Sequence, residues 1–106
     1  MVIHNASFII EREREEAFVE WLRQIVAERV SYAESGPCRP VLTAMREAGG
    51  VDYRQAEAQT VAWQVQFDCI ESARAWSAST LAGIGAAFEE KFGPNAMLFT
   101  SIFEIL

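Results

Sequence analysis

The chain is poor in the residues that most often advertise a chemistry. It has one histidine, two cysteines and three prolines among 106 residues. With His4 alone, a Ser–His–acid triad has no choice of base, although Ser72, Ser77, Ser79 and Ser101 are available as nucleophiles. Cys38 and Cys69 lie far apart and form no CxxC or HxxxH spacing, so no metal site is expected. Cations are also scarce, nine Lys and Arg against fifteen Asp and Glu, for a formal net charge of −6. Phosphate backbones are held by clustered cations, and that balance argues against nucleic acid as a partner. No apolar run reaches the ~18 residues of a spanning helix. No basic-then-apolar leader opens the sequence, and a cytoplasmic protein with reduced thiols is expected.

Hydrophobic side chains, by contrast, are abundant at 51%. That is slightly more than the ~45–50% of ordinary globular chains, and a single domain of this length buries proportionally little of its surface. The surplus points to self-association.

Residues 2–10 are β-branched and aromatic and predict a strand. From about Arg14 to Ala33, Phe18, Trp21, Leu22, Ile25, Val26 and Val30 recur every three or four positions and predict an amphipathic helix, ended by Ser35-Gly36-Pro37. The mixed run Glu11–Glu16 reads as its solvated entry. A second strand is expected over 40–47, followed by a polar loop from Gly49-Gly50. A third runs from Thr60 to Asp68, where Val61, Trp63, Val65 and Phe67 alternate with Ala62, Gln64 and Gln66. A turn near residues 52–53 pairs positions that sum to about 105, which would bring Cys38 near Cys69.

Asp68-Cys69-Ile70-Glu71 has capping-box spacing and opens a second helix that buries Ala73, Trp76, Thr80, Leu81, Ile84 and Phe88 and stops at Gly93-Pro94. Gly83 and Gly85 inside it imply either a close backbone approach or an irregular helix. Residues 96–105 predict a last strand, apolar on both sides.

The order strand, helix, strand, strand, helix, strand in one domain (1–106) predicts an α+β, ferredoxin-like βαββαβ fold. Its four-stranded antiparallel sheet would run fourth, first, third, second, with both helices on one face. The other face is expected to carry Ile3, Ile9, Leu98, Ile102 and Leu106, an apolar patch that a face-to-face homodimer would cover.

Three stretches resemble a family of small bacterial proteins of unknown function in the dimeric α/β-barrel superfamily: Ile3-His4-Asn5-Ala6, Phe18-Val19-Glu20-Trp21-Leu22, and Lys91-Phe92-Gly93 with Phe103-Glu104-Ile105. The resemblance brackets nearly the whole chain and implies the fold and a dimer, but no activity. An aromatic commonly stands there where this chain has His4, so any role of His4 is particular to this sequence. The superfamily also holds cofactor-independent monooxygenases, haem-degrading enzymes, isomerases and ligand-sensing domains.

In the resembled oxygenases an Asn on the first strand, a Trp on the third and a polar residue of the second helix form the site. Asn5 and Trp63 invite that comparison, yet parity sets Asn5 on the open face and Trp63 among the core residues. No His lies near the second helix to hold haem, and no cofactor is expected. A metal reading would gather His4, Cys38, Asp68 or Cys69, and Glu104 at one sheet edge, but strand spacing holds His4 and Cys38 ~9–10 Å apart. Gly83-Ile84-Gly85 lacks the third glycine of a dinucleotide fingerprint and lies within a helix. Glu15-Glu16 and Glu89-Glu90 point apart as neighbours on a helix.

There remains a polar set on the open face, Asn5, Ser7, Gln64 and Gln66, joined on the same reading by Thr100 and Glu104. Enclosed between two sheets, these groups need partners. A water-holding dimer interface is the simpler reading, and a small-molecule pocket between the sheets the sharper one. The expectation is therefore a homodimer of uncharacterised function, with a small molecule held between the sheets as its sharper form and a cofactor-independent monooxygenase or isomerase as the alternative.

Overall fold

The computed structural model describes residues 1–29, 41–93 and 95–106. Strand β1 (Val2–Glu11) leads through a short 3₁₀ turn (Arg12–Arg14) into helix α1 (Glu15–Arg29). Then come β2 (Val41–Ala44), a small hairpin of β3 (Glu47–Ala48) and β4 (Val51–Asp52), and the long strand β5 (Ala58–Phe67). A second helical run joins α2 (Ile70–Trp76), a π-helical turn (Ser77–Leu81) and α3 (Ala82–Phe92) before β6 (Met97–Glu104). The main sheet is antiparallel with order β2-β5-β1-β6, so the expected βαββαβ arrangement holds.

Alternation decides which sheet face is buried. Val2, His4, Ala6, Phe8 and Ile10 of β1 and Gln59, Val61, Trp63, Val65 and Phe67 of β5 are all under the helices. Phe18, Leu22 and Ile25 of α1 and Ala73, Trp76, Leu81, Ile84, Phe88 and Phe92 of the second run complete that core. The β2–β5 register pairs Val41 with Gln64 and Leu42 with Trp63, the sum expected for a turn near residues 52–53. The first helix's predicted end and Cys38 lie outside the described residues.

Several local expectations are revised. The second strand stops at Ala44, because Gly49 and Gly50 adopt φ of +57° and +80° and close a separate hairpin that takes Glu47 and Ala48. The capping box does not form: Cys69 is the N-cap residue without a side-chain cap bond, and its Sγ lies 3.2 Å from Ser72 Oγ. The irregularity of the second helix sits at Ser77–Leu81, ahead of the glycines. A π turn widens the repeat, so the buried stripe steps five residues from Trp76 to Leu81 and then resumes at three and four. Gly85 is closely approached as well: a Cβ there would lie 3.2 Å from Leu98 Cδ2, whereas Gly83 faces open space.

The charged entry to α1 is more than a solvated face. Arg14 donates to the carbonyls of Phe92 (2.8 Å) and Lys91 (3.3 Å), and its guanidinium stands 4.7 Å over the Phe92 ring. A cation thereby satisfies the free carbonyls at the C-terminus of α3.

Candidate functional site

The bare face of the sheet carries the sequence-predicted residues. Direct cross-strand partners share a face, so Gln64, Asn5 and Ser101 form a polar row across β5, β1 and β6. Ser7 stands beside it, and Asn5 Nδ2 donates to Ser7 Oγ at 2.9 Å. Gln66 is one row away, paired with Ile3, and donates to Met1 Sδ at 2.9 Å. All four predicted residues are half-buried. Apolar side chains flank the row: Ile3 with Phe103 on one side, Ile9 with Met97 on the other, and Phe99 opposite Ser7.

Strand β6 corrects the expected face. Leu98, Thr100, Ile102 and Glu104 pair with Phe8, Ala6, His4 and Val2 and so lie on the helix side, while Leu106 is beyond the strand. The outward residues are Met97, Phe99, Ser101 and Phe103. Because β6 is apolar on both faces, its alternation carries no parity signal, and Ser101 rather than Thr100 faces outward. The bare face is consequently more aromatic than expected, with Phe99 and Phe103 each 55% exposed.

The opposite face holds a second cluster. Trp63 is paired with Ala6 and wholly buried, as expected, so it shares no site with Asn5. His4, 1% exposed, meets the Trp76 ring edge-on at 5.2 Å, and Trp76 meets Trp63 the same way at 5.1 Å. His4 Nδ1, Trp63 Nε1 and Trp76 Nε1 are buried without a hydrogen-bond partner. Burial lowers the His4 pKa from its ordinary value, against a smaller opposing influence of its own backbone, and so favours the neutral ring.

Beside His4 a groove of about 530 Å³ opens between α2 and β6, reached by Ile70, Arg74, Ser77, Thr100 and Ile102. Among the described residues no three of His, Cys, Asp and Glu gather as metal ligands, and no helix is long and apolar enough to cross a membrane. Comparison with protein-family models finds no match, and comparison with curated proteins finds none either. The chain is a small α+β domain with a four-stranded antiparallel sheet and two helices on one of its faces.

Proposed function

We propose that the protein is a homodimeric ligand-binding module in which two copies join through their bare sheet faces and hold a small molecule between them. One observation carries this reading: a polar row, Gln64–Asn5–Ser101, crosses the centre of a face otherwise built from Ile3, Ile9, Met97, Phe99 and Phe103. An apolar surround supports burial, and a few converging polar groups in its middle give a guest something to bond. A two-fold axis through the row would bring it against its own copy. The four strands span roughly 500 Å² in the plane of the sheet, or about 1,000 Å² for two copies before side-chain relief is counted, which reaches the threshold for a specific interface. The two-layer protomer is 20 Å across its shortest axis, so a second copy would complete a four-layer particle.

This reading agrees with membership of the dimeric α/β-barrel superfamily suggested by the sequence resemblance, and a reducing, cytoplasmic setting fits the exposed free thiol of Cys69. The monooxygenase alternative loses its residue pair, since Asn5 and Trp63 face opposite sides of the sheet.

Native mass spectrometry of the purified protein tests the proposal. Ions at twice 11.9 kDa, with additional mass that is lost in the Asn5→Leu/Gln64→Leu variant, are expected. Monomer ions alone would overturn the dimer, and a dimer of bare polypeptide mass would leave the polar row as an interface without a guest.

A further inference from the structure

The groove between α2 and β6 has its own chemistry, on the helix side of the sheet at the β6 edge, where Ser101 alone of the polar row reaches it. Ile70, Arg74 and Ser77 recur at intervals of four and three, so they form one stripe along the helix facing β6. The neighbouring stripe, Ala73 and Trp76, is the one buried in the core. Across the groove stand Thr100 and Ile102 of β6, and His4 forms part of its wall.

Three features mark this as more than a gap at a sheet edge. His4 Nδ1 is buried and unpaired, and the ring it meets, Trp76, has an unpaired indole N–H of its own. Buried polar groups are usually satisfied, so these two orphans mark a core wall beside the groove that gives up stability. The Arg74 side chain is exposed and, among the described residues, makes neither an ion pair nor a hydrogen bond. Finally, the π turn begins at Ser77, the residue that completes the stripe, and such turns recur at functional positions.

We infer that this groove binds a small organic carboxylate with an apolar or aromatic body. A guanidinium presents parallel donors that match a carboxylate, and Ser77 and Thr100 each bring a hydroxyl to the lining of the same groove. Ile70 and Ile102 offer apolar walls for the rest of the molecule, with the imidazole edge of His4 between them and the indoles. The volume falls within the range of metabolite sites. An overall charge of −6 works against long-range attraction of anions, so recognition rests on Arg74 locally.

The probe is 3-phenylpropanoate, followed by the indole N–H resonances of Trp21, Trp63 and Trp76 in a nitrogen-15 spectrum. Saturable shifts are expected at Trp76, with Trp21 unmoved. Arg74→Gln should weaken binding about ten-fold or more, and 3-phenylpropanamide should bind correspondingly less tightly. Thr100→Val gives a second variant on the other wall, expected to weaken binding without touching the helix. Equal affinity for acid and amide, or an Arg74→Gln protein that binds as the parent does, would overturn the assignment. So would the absence of any shift at millimolar probe. Repeating the titration in a Phe99→Asp/Phe103→Asp variant separates this site from the dimer, because the groove lies on the other face of the sheet and its binding should persist.

Discussion

Two aromatic clusters lie under the same sheet face, at opposite ends of the core, and they differ in kind. At one end Phe8, Phe18, Phe88 and Phe92 meet at centroid distances of 5.0–5.6 Å with Trp21 alongside, and the phenyl rings contain nothing but hydrocarbon. At the other, His4, Trp63, Trp76 and Phe67 stack just as closely, but three buried nitrogens lack partners. The first end is built for stability. The second gives up part of the stability its burial could provide, and it is there that the helix widens into a π turn and a groove opens.

The sharpest way to break that contrast is to truncate each end in turn. Phe18→Ala should cost about 3–5 kcal/mol, read from urea unfolding, because a wholly buried ring leaves a cavity that its neighbours fill poorly. A smaller loss, about 1–3 kcal/mol, is expected for Gln59→Leu. Gln59 is a buried polar side chain of the opposite kind to His4: its amide donates to the carbonyls of Tyr53 (2.7 Å) and Ala56 (3.0 Å), and its oxygen accepts from Arg46 (3.1 Å). Removing it leaves the half-buried Tyr53 and Ala56 carbonyls without the donor that now satisfies them. Trp76→Phe should change stability by less than about 1 kcal/mol, since losing an unpaired N–H offsets part of the lost ring contact. A loss as large as that of Phe18→Ala would contradict the contrast between the two ends.

The smallest effect concerns pH. The folded His4 pKa lies below its ordinary 6.5, so the unfolded chain takes up a proton that the folded protein resists. Stability is full above about 6.5, falls as pH drops from there towards the lowered folded value, and gains no further slope from His4 below it. In His4→Phe the decline over that window should vanish, while carboxylate titration at lower pH remains. Urea midpoints across a pH series check this.

How legible each region was in the sequence follows the same division. The period-two alternation of β5 placed Val61, Trp63, Val65 and Phe67 in the core, and the register of β2 followed from the hairpin length. Asn5, Ser7, Gln64 and Gln66 reached the bare face as expected, because β1 and β5 each have one clearly apolar side. Strand β6 offered no such asymmetry, and only hydrogen-bond register reveals that Ser101 continues the polar row while Thr100 faces the groove. The groove itself was hidden for a different reason. It depends on how far α2 stands from an edge strand, a tertiary distance with no local signature. One sequence clue did exist: an unbroken α-helix carries the buried stripe from Trp76 through the polar Thr80, whereas the π turn lets it step directly to the apolar Leu81.

Every functional statement about the bare face depends on a second copy covering it. Sedimentation equilibrium from low to high micromolar concentration, on the wild-type chain and on Phe99→Asp/Phe103→Asp, tests that dependence most directly. A wild-type mass near twice 11.9 kDa that falls to 11.9 kDa in the folded variant is the expected result. A wild-type protein that sediments at 11.9 kDa throughout, or a variant that still sediments as a dimer, would contradict it.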